Sequence, residues 1–284
     1  EFYYDEKSKR AKAKAYKYDL ETGEIGGEVS PAPTNGEVDD RLEDLIDNHI
    51  IVDTIDLSSQ GKLYYKTKAN GTIKVEVNPN GGLNVLGGYQ IENGTPIHVV
   101  PDNIKDQTNE GNGKTYIVPS VMQSSIRSAY SAISEFAGTE EAPGPFYEFH
   151  KLMLDAGVFF TDEDFASFGQ TVEAFNTYHY TIYIPSNESV RAALEAGMPT
   201  LDEAEENYSF DADDYRDSIK SIIADFVNYH IQDNSVYVGG GNTEGNFETS
   251  TLDETTGTFC RLNVEGSNDG IKVVDGVGNV QTVD

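Results

Sequence analysis

The strongest constraint on the fold is that one segment occurs twice. "DLIDNHIIVD" (residues 44–53) and "DFVNYHIQDN" (residues 225–234) each carry an apolar-periodic run to a histidine, and His49 and His230 stand 181 positions apart. At that spacing Leu42, Leu45 and Ile46 align with Ile223, Phe226 and Val227. Both sets follow the i, i+3, i+4, i+7 pattern that places side chains along one stripe of an amphipathic helix. The second run extends back through Ile219 and Ile222, with Asp217 placed to favour a helix N-terminus. Repetition of this kind marks two units of one architecture and has to be recognised before any motif is weighed.

Each run feeds short alternating segments rich in β-branched and aromatic residues. After His49 come "GKLYYKTKANGTIKVEV" and "GGLNVLGGYQI"; after His230 come "GNFETSTLDETTGTFCRLNVEG" and "DGIKVVDGVGNVQTVD". Asn-Gly, Gly-Gly and Asp-Gly between such segments signal the hairpins of an antiparallel sheet. "GTIKVEV" is matched to "DGIKVVD" on this reading. Between residues 126 and 199 lie features with no counterpart at the start of the chain. Ile126, Ala129, Tyr130, Ile133 and Ala137 fall on one helical face, "FYEFHKLMLDAG" ends on a glycine suited to a helix C-terminus, and "YHYTIYIPSNESVRAALEAG" reads as a strand, a Ser186 cap and a helix stopped at Gly197. The fold class expected is α+β.

"YTIYIPSNESV" (residues 180–190), "NGKTYIVPSVMQ" (residues 112–123) and "NYHI" (residues 228–231) resemble the first signature, the second signature and the Tyr-His motif of the fasciclin domain family. Their order is that of two adjoining domains: residues 1–124, lacking the N-terminal part, and residues 125–284, lacking the final strand. Asn48 stands where the first copy would carry the tyrosine, and Tyr116 where the second signature often has histidine. The resemblance implies a wedge of mainly antiparallel strands flanked by helices, without catalytic activity, used for adhesion or ligand binding outside the cell. Bacterial members are commonly surface lipoproteins lipid-anchored to the outer membrane. The implied partners are a protein or glycan at the cell surface; the alternative is a structural accessory role in an outer-membrane uptake or surface assembly. Within the family, the Tyr-His region points to Tyr229 and His230 as partner-binding residues.

Composition narrows the rest. With 49 acidic and 20 basic residues the 284-residue chain carries a net charge of −29, which repels phosphate backbones and argues against nucleic acid. One cysteine permits no internal disulfide and no cysteine-based zinc cluster; Cys260 alternates with Leu262 and Val264 as a half-buried strand residue would. No run is long and apolar enough for a membrane span. The chain opens without Met and is read as a mature or clipped piece. His98, His150 and His179 lack zinc-ligand spacing, no Gly-x-Ser-x-Gly elbow supports a hydrolase, and a calcium loop from Asp211 would meet Arg216 and Ile222 where glycine and glutamate belong. No metal, cofactor or catalytic residue is therefore assigned.

His49 and His230, at helix ends on the apolar stripe, are read as structural, and Tyr229 as packed beneath a loop that satisfies its hydroxyl. The remaining feature is basic: Lys7, Lys9, Arg10, Lys12, Lys14 and Lys17 fall within eleven positions, alternating in part with alanines. A charged hairpin is the simplest reading, with Lys12, Lys14 and Lys17 as a docking surface for an acidic partner. Sequons occur at Asn70, Asn93, Asn187 and Asn207.

Overall fold

The computed structural model describes residues 1–18, 24–58, 63–106, 113–125, 129–157, 180–202, 212–240, 243–267 and 269–283. The chain divides into two units, Glu1–Ile126 and Arg127–Asp284. Both combine helices with antiparallel sheets, so the fold class is α+β.

The first unit opens on two ribbons. β1 (Phe2–Asp5) pairs with β2 (Arg10–Ala13), and β3 (Tyr16–Tyr18) with β4 (Ile25–Glu28). Helix α1 (Asn35–Asp47) begins at a reciprocal cap: the Glu37 N–H donates to Thr34 Oγ1, and the Thr34 N–H to the Glu37 carboxylate at 2.7 Å. β5 (Tyr64–Lys66), β6 (Thr72–Val77), β7 (Leu83–Leu86) and β8 (Ile97–Val99) form a sheet in chain order, with the short helix α2 (Gly88–Glu92) between the last two. Asn70 turns β5 into β6 at φ 65°, a left-handed conformation that asparagine tolerates. A separate pair, β9 (Ile104–Asp106) and β10 (Lys114–Tyr116), follows. Alternate sheet residues, Tyr65, Ile73, Val75, Leu83, Val85, Ile97 and Val99, build one apolar core that Met122 closes.

In the second unit α3 (Ala129–Ala137) and α4 (Tyr147–Ala156) precede β11 (Tyr180–Ile182) and α5 (Asn187–Glu195). Gly157 ends α4 in the left-handed region at φ 69°. Ser186 caps α5 by accepting from the Ser189 N–H. Helix α6 (Ala212–Tyr229) starts five residues before Asp217, which lies in its second turn rather than at its end. It leads into β12 (Ile231–Asp233), β13 (Thr243–Asp253), β14 (Thr258–Gly266), β15 (Ile271–Val274) and β16 (Val280–Val283), a six-stranded sheet ordered β11 to β16.

The sheets repeat residue by residue. Thr67 pairs with Ile51, and Thr249 with Gln232; both threonines are buried. Tyr65 faces Ile73 as Phe247 faces Leu262, Val75 faces Val85 as Val264 faces Val273, and Leu83 faces Val99 as Ile271 faces Val283. This register corrects one alignment. "GTIKVEV" corresponds to the strand through Leu262 and Val264, and "DGIKVVD" to "GGLNVLG", because a residue's place is set by its cross-strand partners and not by local similarity of β-branched runs.

The helices leading into these sheets are covered differently. On α6, Ile219, Ile223 and Val227 are buried against Phe149, Leu152 and Met153 of α4. On α1 only Val38 is buried, near the ribbon that carries Ala13; Leu42 and Leu45 are half-buried, and Ile46 is 60% exposed where Val227 is sealed. Among the described residues the first unit has no helix placed as α4 is in the second, so the same sequence stripe is left open.

Candidate functional site

Each helix terminates one or two residues before its histidine, and each ring folds back on the last turn. His49 Nδ1 lies 2.7 Å from the Leu45 carbonyl oxygen, and His230 Nδ1 lies 2.8 Å from that of Phe226. A carbonyl only accepts, so Nδ1 carries a proton in both rings, and in the neutral form Nε2 is then the acceptor. In the first unit that acceptor is used: the Met122 N–H donates to His49 Nε2 at 3.0 Å. The histidine thereby joins the end of the helix to a segment 73 residues away.

Gln90, buried on α2, holds the same segment beside it. Its Oε1 accepts from the N–H groups of Gly87 and Gln123, and its Nε2 donates to the Val121 carbonyl. A Cβ on Gly88 would lie 2.4 Å from the Ser125 nitrogen, so the close approach of α2 to this segment requires glycine. No local pattern pointed to Gln90; one glutamine inside "GGYQI" was the available signal.

His230 sits among aromatic rings, with centroid separations of 4.8 Å to Phe226, 5.2 Å to Phe149 and 6.4 Å to Tyr229. Burial pushes its pKa below the usual histidine value, and the bond to the Phe226 carbonyl offsets this only in part. Among the described residues no group bonds to His230 Nε2. Tyr229 is placed as its sequence position suggested: its hydroxyl accepts from the Gly276 N–H at 3.0 Å, under the turn between β15 and β16. Asp275 holds that turn by accepting from the Val277 and Asn279 N–H groups.

The other histidines are dispersed. Exposed His98 bonds Asn84 Oδ1 at 2.7 Å. His150 is buried, its pKa lowered by desolvation, with Nε2 3.1 Å from Ser134 Oγ across α3 and α4. This Ser-His pair was not legible in the sequence, since its partners lie on different helices. His179, Asn207 and the acidic run 161–165 lie outside the described residues. Cys260 is half-buried on β14. Among the described residues no group of three or more His, Cys, Asp or Glu side chains could hold a metal ion. A cleft of about 630 Å³ is lined by Leu154, Asp155, Leu201, Arg216, Asp217 and Lys220. Burial pushes the Asp155 carboxyl up, but the charges around it are mixed.

The basic ribbon is largely neutralised where it stands. Lys9 pairs with Glu6, Lys12 with Asp5 at 3.0 Å, Lys14 with Glu28 at 3.3 Å and Arg10 with Asp39 of α1. Lys17 has no ion pair among the described residues. Phe2, Tyr3 and Tyr4 on β1 are exposed beside these charges. Asn187 also has its side chain engaged: Oδ1 accepts from the Glu148 N–H and Nδ2 donates to the Gly144 carbonyl, fixing the start of α5 against α4.

Among the described residues no helix is long and apolar enough to cross a membrane. No protein-family model matches the chain, and no curated protein matches its sequence.

Proposed function

We propose that the chain is a pair of fasciclin-type modules at a bacterial cell surface, which bind protein or glycan through surface complementarity and carry out no reaction. The observation that carries this reading is the shared treatment of His49 and His230, each bonded through Nδ1 to the carbonyl four residues back at the end of the same helix-to-sheet unit. A residue so used twice in one register serves the architecture, which leaves recognition to exposed loops and edges. Tyr229 and His230 then support a contact surface by holding the β15–β16 turn and the end of α6. The test is to probe the immobilised chain against surface glycans and matrix proteins, alongside a screen for hydrolysis of ester, peptide and glycosidic bonds. Saturable binding without turnover is expected; turnover lost on replacing His150 or Ser134 would overturn the reading.

Exposed Phe2, Tyr3 and Tyr4 beside Lys12 and Lys14, with Lys17 on the next ribbon, favour a second reading, an accessory role in an outer-membrane assembly docked through the first ribbon. It predicts recovery of one stoichiometric envelope partner from native membranes, lost when Tyr3 and Tyr4 are both replaced by serine.

A further inference from the structure

The inner faces of the two larger sheets repeat, but their outer faces do not. Alternating with the core residues of β6, β7 and β8 are Glu76, Asn84 and His98, which stand directly opposite one another across three strands. Their side chains are interlocked. The Lys74 ammonium lies 2.7 Å from the Glu76 carboxylate. That pairing, with a smaller contribution from the Asn84 amide, holds the Glu76 pKa below the ordinary carboxylate value against the effect of burial. Asn84 Oδ1 accepts from Asn78 Nδ2 at 3.0 Å and from His98 Nδ1 at 2.7 Å. The matching row of the second unit, Glu265, Lys272 and Thr282, has the same register but no side-chain bond among the described residues. Such a sheet therefore forms without the network, which is a property of the first unit's surface and not a condition of its fold.

We propose that this outer face binds a neutral oligosaccharide, with Glu76, Asn84 and His98 exchanging hydrogen bonds with its hydroxyls. The inference rests on the reading of the chain as a binding module and names the ligand class. Charge narrows that class: in a chain of net charge −29 this row is neutral, because Lys74 cancels Glu76, so it selects neither a cation nor an anion. Hydrogen-bonding capacity narrows it further. The network uses Asn84 Oδ1 and His98 Nδ1 but leaves His98 Nε2 and lone pairs of the Glu76 carboxylate to an incoming group. A hydroxyl both donates and accepts, so a run of hydroxyls can meet a carboxylate, an amide and an imidazole in turn. Shape agrees, since strands spaced about 4.8 Å apart make the row flat and about 10 Å long, enough for a short sugar chain. Tyr64, facing Lys74 on the same side, supplies a ring for the apolar C–H face of a sugar. Side chains already pinned by their neighbours lose less freedom when the ligand arrives.

The test titrates the whole chain with neutral glucan, mannan, galactan and N-acetylglucosamine oligosaccharides. Calorimetry is read together with the side-chain amide resonances of Asn78 and Asn84 and the imidazole resonances of His98. Expected is one-to-one binding of at least one of these sugars, insensitive to salt, that moves those resonances and weakens roughly tenfold or more in His98→Ala and in Asn84→Leu. His98 is exposed, so its replacement spares the core if Asn84→Leu does not fold, and Lys272→Met on the matching row should bind as the parent does. Sugar binding that leaves Asn84 and His98 unmoved would overturn the inference while the binding-module reading stands. So would a chain that binds a surface protein and none of the sugars; failure to bind either would remove that reading as well.

Discussion

His230 is a part-buried base whose surroundings set the direction of its titration. Its pKa is depressed in the folded state by desolvation, while in the unfolded chain it returns to about 6.5. Between those two values the unfolded state binds the proton and the folded state does not. Stability is therefore fully present above pH 6.5 and falls as pH drops below it, until the folded pKa is reached. His150, depressed by the same cause, adds to the slope. Urea unfolding of the second unit, followed between pH 7.5 and about 5, should show its midpoint falling only below pH 6.5; a flat profile would place the ring in water. The helical stripe ending on a histidine was legible in the sequence because 3.6-residue periodicity is local. The Met122 amide that completes His49 was not, because it arrives from 73 residues away and an amide carries no sequence signature.

At the scale of elements, α1 and α6 present equivalent stripes to unequal surroundings. Ile223 is sealed beneath α4, so Ile223→Ala should cost roughly 2–5 kcal/mol by lost transfer energy and the cavity left behind. Ile46 lies on the same stripe but is 60% exposed, and Ile46→Ala should stay within about 0.5 kcal/mol. Denaturant titrations of the two variants check the contrast, and equal losses would mean that α1 is covered after all. Helix existence, the Ser186 cap and the Gly157 stop were readable from capping chemistry. Burial was not, since Ile46 and Val227 have the same pattern around them and differ, among the described residues, in whether a helix placed like α4 covers them. The strand match also failed at this scale. "GTIKVEV" and "DGIKVVD" look alike in sequence, but register assigns them to different strands, and register is a property of pairs.

For the whole molecule, charge is the dominant unbalanced quantity. A net charge of −29 leaves carboxylates far in excess of cations, and the ribbon's lysines and Arg10 are mostly spent on Glu6, Asp5, Glu28 and Asp39. Self-repulsion disfavours the compact state and is screened by salt. The melting temperature should rise by several degrees between about 10 mM and about 150 mM salt, over which the Debye length shrinks from about 30 to about 8 Å. A melting temperature that falls with salt would show that attractive pairs dominate. The acidity was plain in composition, whereas the local neutralisation of Lys12 and Lys14 was not, because Asp5 and Glu28 reach them across ribbon strands. Finally, the chain's one thiol, that of Cys260, lies on β14, half sheltered from solvent. Since the chain has no other thiol, a thiol-selective alkylating reagent reports the breathing of this sheet alone, leaving the first unit silent.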